Sequence, residues 1–273
     1  MNVSQLYIYP IKSLGGISIS SVNITDRGFE YDRRWMLIDA NNRFISQREI
    51  AEMALLQVEI LPGGLKIYHK INQEISIEIP FKPITEEIVT ADIWGIPCEV
   101  QIVSDLANTW FSKILNSSCR LVYMPDSTKV KIDERYDINN GITSLSDGYP
   151  ILLISEESLQ DLNNKMNEPL PMNRFRPNLV CVGGNAFIED TMREFEINGT
   201  KFFGVKPCAR CVMTTINQQT SQKGKEPLNT LSSFRKKDAK VLFGENIIAA
   251  GTGKINVGDT ITIVQTKESL FNN

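Results

Sequence analysis

Two cysteines in the stretch KPCARCVMTTIN (residues 206–217), Cys208 and Cys211, are the residues of this chain whose type and spacing best suit chemistry. A Cys-x-x-Cys pair can be a redox dithiol, half of a zinc site, part of an iron–sulfur cluster, or one metal thiolate beside a bystander. Zinc needs four ligands, normally two such hooks or one hook with histidines. Here there is one hook, the single histidine His69, and three cysteines (Cys98, Cys119, Cys181) without partner spacing. A thioredoxin-like dithiol places its first cysteine at a helix N-terminus, whereas Val212, Thr214, Thr215 and Ile216 predict strand. An iron–sulfur cluster needs about four thiolates. Two readings stay open on the residues alone: one thiolate on a metal carried by a larger cofactor, or two inert buried cysteines. Arg210, between them, argues against a dry apolar slot, because a guanidinium favours a thiolate or an anionic ligand.

Such a pair must be positioned by a scaffold. The chain has 273 residues, 42% hydrophobic and 22% charged, with a net charge of −3. That length suits one large or two modest domains with a substantial core. The acidic balance argues against a nucleic-acid binder, though it would average away a local basic pocket for a small anion. The start, MNVSQLYIYP, lacks a signal-peptide pattern, and the apolar run YPILLI is too short to span a bilayer. Five cysteines in a long chain do not make a disulfide framework. A soluble, cytoplasmic, monomeric protein without membrane partners is expected. One imidazole, in a strand-like stretch GGLKIYH, makes Ser-His-Asp catalysis and multi-histidine metal sites poor candidates.

Period-2 alternation dominates the first hundred residues. Strands are predicted over 17–24, 34–40, 54–60, 65–69, 74–79 and 97–103, with turn signals at 26–28, 39–43 and 62–64, which suggests a barrel-like sheet. Ser104 is expected to cap a helix over 105–115 with Leu106, Trp110, Phe111, Ile114 and Leu115 on one face. Residues 123–144 turn polar and lose periodicity, predicting a domain boundary and a surface loop lining a cleft. Beyond it come a buried strand (YPILLIS), a helix started by Ser155, Glu156 and Glu157, and strand NLVCVGG. A hairpin across Asn198-Gly199 follows, then a short helix over 227–235 and a final strand–turn–strand over 253–264.

Seven segments then occur in a recognisable order: YPIKS (9–13), YDRRW (31–35), SDGYP (146–150), RFRPN (174–178), CARCVMTT (208–215), EPLNTL (226–231) and INVGD (255–259). Together they resemble the MOSC family with its N-terminal β-barrel domain, which includes amidoxime-reducing proteins and bacterial proteins acting on N-hydroxylated bases. The resemblance implies a predominantly β, α+β fold: a barrel-like domain over 1–122, a MOSC-type mixed barrel over 123–266 with a few helices, a tail over 267–273, and a cofactor cleft between the domains. It implies a molybdenum cofactor, molybdopterin with a terminal phosphate, whose metal takes the thiolate of Cys211, a soft donor suited to it. The family is also associated with pyridoxal phosphate binding. Lys12, Ser13, Arg33 and Arg176 match its cofactor-holding positions and supply cationic and hydroxyl donors. Ser146, Gly148 and Tyr149 would add hydroxyl and backbone donors, although Gly148 and Tyr149 depart from the small hydroxyl residues usual there. Asp147 is the candidate for proton handling, against an ordinary Asx turn. Arg210 would face the anion, Thr214 and Thr215 would donate to the thiolate or the pterin, and Cys208 is expected to be structural.

The implied reaction reduces N-hydroxylated substrates, with electrons from an external donor such as a ferredoxin, flavin reductase or haem protein, since no cysteine follows Cys211. MOSC domains also terminate cofactor sulfurases, so a rival reading is a sulfur carrier or cofactor-delivery protein with a persulfide on Cys211. Proteins keeping the fold without the cofactor form a third class.

Overall fold

The computed structural model describes all residues except Asn139, Asn272 and Asn273; two of these fall in the expected C-terminal tail. The fold is mostly β. A nine-stranded sheet runs in the order Ile17–Ile19, Asn2–Ile8, Leu179–Val182, Ile151–Ser155, Lys240–Ala250, Thr200–Arg210, Met192–Ile197 and Ile261–Thr266, with Lys236–Lys237 paired to Lys240–Ala250. A four-stranded sheet orders Trp35–Ile38, Arg120–Tyr123, Ile96–Ile102 and Ile88–Ile93, and a meander joins Leu56–Leu61, Gly64–His69 and Ser76–Pro80.

The apolar runs are strands buried on both faces, with successive side chains entering different cores because the pleat has period 2. Trp35 and Leu37 join one cluster with Val58, Ile67 and Phe111, while Met36 and Ile38 join another with Val100 and Ile102. Ile151 and Leu153 likewise face Phe195 and Phe202, while Leu152 and Ile154 face Phe175 and Phe243. Fully burying each such side chain contributes about 1.5–3 kcal/mol. The Asn198-Gly199 hairpin forms as expected, both residues at positive φ (47° and 76°) in the pattern two-residue loops require. His69 sits at a strand end, where Nδ1 accepts the Ile71 N–H at 3.3 Å.

Three local expectations are overturned. The stretch 17–24 is two strands, Ile17–Ile19 and Ser21–Thr25, in different sheets. Helix α1 (Asp105–Ile114) is capped by Ser104 Oγ, which accepts from Ala107 N at 3.1 Å, but its most buried positions are Ala107 and Phe111, while Leu106 is 69% exposed. Val212–Thr215 is a 3-10 turn rather than strand. There the Thr214 and Thr215 hydroxyls donate back to the Cys211 and Val212 carbonyls at 3.0 and 2.8 Å, a local bond that outcompetes β propensity.

Candidate functional site

Strand Thr200–Arg210 carries the cysteine pair into a cleft of about 240 Å³. Its pairing with Lys240–Ala250 slips between Gly204 and Lys206 and again between Pro207 and Ala209. Lys206, Cys208 and Arg210, alternate residues along this bulged strand, line the cleft together with Pro207 and Ala209. Cys211 follows at the start of the 3-10 turn and is exposed, whereas Cys208 is half-buried against the core cluster that contains Phe175 and Phe243. Burial pushes the Cys208 thiol up, against the neighbouring Arg210, whose Nη1 donates to its Sγ at 3.0 Å. The remaining cysteines lie in separate cores, Cys119, Cys181 and Cys98 each in its own cluster. Among the described residues no cluster of three or more His, Cys, Asp or Glu could hold a metal ion, so a metal at Cys211 would have to arrive on a larger group.

The cleft gathers Lys12, Ser13, Arg33, Ser146, Asp147, Tyr149, Arg176, Arg210, Cys211 and Thr214. Of the expected site residues, Gly148 and Thr215 are not among its lining. The polar stretch 123–144 contributes none either. Arg48, Arg174, Lys206, Asn178 and Asn246 add to its polar wall. Seven cationic side chains therefore face one carboxylate, in a chain whose net charge is negative. Such a field selects anions.

Three of the cationic and hydroxyl residues sit in left-handed backbone: Ser13 at φ 69°, Arg33 at 47° and Arg176 at 56°. A non-glycine residue held there costs on the order of 1–3 kcal/mol and persists only where its surroundings impose it. Here the imposing contacts are explicit. Arg33 Nη1 donates to Asp32 Oδ2 at 2.6 Å and to Asn178 Oδ1 at 3.0 Å, and Arg176 Nη1 donates to the Leu14 carbonyl at 2.7 Å. Both guanidinium groups flank the buried Tyr9 ring, 4.3 and 4.2 Å from its centroid. Burial pulls Arg176 down to about 10, with the nearby Arg33 charge adding to the effect.

Lys12 is buried, and its Nζ donates to the Leu145 carbonyl at 2.7 Å and to Asp147 Oδ1 at 2.5 Å. Burial lowers its pKa, while Asp147 works the other way. Burial alone would raise Asp147, yet the Lys12 charge, hydrogen bonds from Lys12 and Trp94 Nε1 (3.1 Å) and the nearby Arg48 outweigh it and hold the carboxyl well below its usual range. Asp147 is consequently an ionised acceptor near neutral pH, not a resident acid. Ser146 Oγ is committed within its own loop, donating to the Tyr149 carbonyl at 2.7 Å and meeting Thr143 Oγ1 at 2.5 Å. The Thr214 and Thr215 hydroxyls donate to carbonyls of their own turn, and Thr214 lines the cleft. Two buried polar atoms on lining residues, Arg210 Nε and Tyr149 Oη, have no partner among the described residues. Buried polar groups are normally satisfied, so this wall suits a ligand rich in acceptors.

A family model of the MOSC domain matches residues 140–262, and one of the MOSC N-terminal beta barrel domain matches residues 1–118. The chain is 32% identical to mitochondrial amidoxime reducing component 2 of Rattus norvegicus, across 95% of this chain and 82% of that one. The chain belongs to the MOSC family. This MOSC protein is also 28% identical to mitochondrial amidoxime-reducing component 1 of Mus musculus, over 96% of its own length and 82% of that relative's. It is 32% identical to molybdenum cofactor sulfurase of Oryza sativa subsp. japonica over 89% of its length, but spans only 32% of that longer chain. Among its described residues no helix is long and apolar enough to cross a membrane.

Arg48 and Trp94 were invisible in the sequence, because nothing in SQREI or DIWGI marks them. Lys206 and Arg174 stand inside segments singled out for other residues. Arg174 is buried, its Nε donating to the Thr214 carbonyl at 2.9 Å and its Nη2 to that of Glu226 at 3.1 Å, so it braces the turn that presents Cys211.

Proposed function

We propose that this MOSC protein is a molybdenum-cofactor oxidoreductase that reduces N-hydroxylated compounds such as hydroxylamines, amidoximes and N-hydroxylated bases. The observation that carries the reading is an exposed thiol, Cys211, on the wall of a cleft with seven cationic side chains and one carboxylate. The donor set fits molybdopterin: guanidinium and ammonium groups for a phosphate, unpartnered Arg210 Nε and Tyr149 Oη for ring acceptors, and a soft thiolate for the metal. When bound, the molybdenum centre supplies the two-electron chemistry that removes oxygen from an N–OH group.

The chain's own residues do the rest. Lys12, Arg33 and Arg176 hold the anion, Ser13 sits among them, and Arg210 reaches the same group while steadying Cys208. Reduction of N–OH to N–H and water consumes protons. Asp147, ionised and hydrogen-bonded to the Lys12 ammonium, is placed to hold and orient that ammonium, whose proton burial makes easier to release, rather than to supply one from its own carboxyl. Electrons come from a separate donor protein, a ferredoxin, flavin reductase or haem protein.

A second reading is favoured by one observation, the likeness to the rice molybdenum cofactor sulfurase: the same cleft could present the cofactor to a persulfide on Cys211. Turnover separates the two. Cofactor-loaded protein supplied with chemically reduced methyl viologen should convert benzamidoxime to benzamidine. Failure to do so, together with cyanide-labile sulfur on Cys211, would replace the reductase with the carrier.

A further inference from the structure

The YDRRW segment is divided between two cavities. Asp32 and Arg33 serve the Cys211 cleft, whereas Tyr31, Arg34 and Trp35 line a second cavity of about 500 Å³ together with Phe81, Lys82 and Tyr123. That volume is in the range of small-molecule sites. One side of its wall is aromatic: Tyr31 stacks on Phe81 with centroids 4.8 Å apart, and Trp35 lies 5.1 Å from Tyr123 and 6.4 Å from Phe81. The rest is charged, with Asp26 paired to Arg27 and Lys129, Asp126 paired to Arg34, and Glu30 and Lys82 beside them, so cations outnumber carboxylates four to three.

Two buried donors on residues that line it lack acceptors. Trp35 is 1% exposed, yet its indole Nε1 has no partner among the described residues, and neither has the buried Arg34 Nε. The rest of the Arg34 guanidinium is well used, since Nη2 donates to Tyr123 Oη at 3.0 Å, the Met124 carbonyl at 2.6 Å and Asp126 Oδ1 at 2.7 Å. A buried donor left unmade costs on the order of 1–3 kcal/mol. Neither the cofactor cleft nor its chemistry uses these groups.

We propose that the second cavity binds a planar aromatic carboxylate. Its ring packs against Trp35 and Phe81, and its carboxylate accepts from Trp35 Nε1 and Arg34 Nε, a charge-assisted pair, with the Lys82 ammonium adding attraction. The Trp35 carbonyl accepts the Lys12 N–H at 2.7 Å, so a ligand here abuts the backbone that places Lys12 and is suited to act as an effector of the neighbouring cleft.

The test is calorimetric titration of the full chain with 2-naphthoate in excess inorganic phosphate, which occupies the basic cleft. Saturable one-to-one binding is expected. Trp35→Phe, which keeps a ring and removes the N–H, should weaken it roughly tenfold or more, the worth of a hydrogen bond to a charged group. 2-Naphthylmethanol, lacking the carboxylate, should bind at least as weakly. Phe81→Ala truncates a half-buried ring and should abolish binding even if Trp35→Phe proves too unstable to study. Absence of saturable binding at millimolar ligand, displacement by phosphate, or binding indifferent to Phe81→Ala would each overturn the proposal.

Discussion

Replacing Arg176 with Met should uncouple the protein's stability from anions. Arg176 and Arg33 both pack on the Tyr9 ring, with Asp32 the carboxylate bonded to Arg33. One Arg176 N–H is spent on the Leu14 carbonyl, and the guanidinium lines the cleft. A bound dianion therefore gains at least one charge-assisted hydrogen bond from it, and losing that bond, about 1.5–3 kcal/mol, weakens binding roughly 10- to 150-fold. At inorganic phosphate about 100-fold above the wild-type Kd, binding adds about 2.7 kcal/mol to folding stability, and the variant at the same concentration would gain about 0.3–1.4 kcal/mol. At about 2–4 °C per kcal/mol for a chain of this size, the phosphate-induced rise in Tm should be roughly 3–10 °C smaller in Arg176→Met. Differential scanning calorimetry with and without phosphate, against sodium chloride of equal ionic strength, reads this directly. Equal phosphate shifts in the two proteins, or a chloride shift as large as the phosphate one, would refute the anion-pocket reasoning.

Further outcomes follow from other parts of the fold. Cys208→Ala should retain bound molybdenum and most activity, because Cys208 packs against the core cluster that contains Phe175 and Phe243; loss of molybdenum in that variant would make the two cysteines a joint ligand set. Burial raises Glu245 to about 8, against its Lys267 partner, so the folded protein holds a proton that the unfolded chain releases near the ordinary carboxyl value. Stability should then fall as pH rises from about 4.5 toward 8, by up to about 1.4 kcal/mol per pH unit, and Glu245→Gln should flatten that slope in urea titrations. Gly204→Ala should cost about 1–3 kcal/mol, since a Cβ there would lie 2.0 Å from the Met192 carbonyl oxygen. Because Gly204 opens the first bulge, the same variant should also weaken phosphate binding in the cleft. A Gly204→Ala protein with wild-type Cm and phosphate affinity would contradict this role.

Much of the scaffold was legible because its signals are local. Alternation gave most strands of the first hundred residues, Ser104 and Ser155 marked helix starts, and Asn198-Gly199 marked a hairpin. The hairpin between Ile88–Ile93 and Ile96–Ile102 was not seen whole, since its tip is Trp94-Gly95, with Trp94 at φ 59° where the usual signal is Asn or Asp. Strands Asn2–Ile8 and Lys240–Ala250 were likewise not read, for their patterns are interpreted by partners far along the chain, at 179–182 and 200–210. The Val212–Thr215 turn was misread because propensity does not register a threonine hydroxyl bonding its own backbone.

The site divides the same way. Residues carried by ordered motifs converge on one cleft, although Lys12 and Arg176 are 164 positions apart and no local signal joins them. The resemblance supplied that connection. It could not supply Arg48, which reaches the cleft through a ring contact with Trp94 at 4.3 Å. Nor could it foresee that Asp147 is tied to Lys12 and held ionised.

The central claim is that Cys211 carries a molybdenum cofactor in this cleft. Metal and pterin analysis of protein co-expressed with molybdenum-cofactor synthesis genes, wild type beside Cys211→Ser, tests it most directly. The expected result is near-stoichiometric molybdenum with pterin in the wild type, lost or rendered redox-silent in the variant while the fold is retained. Absence of molybdenum from both, or full activity in Cys211→Ser, would contradict the claim.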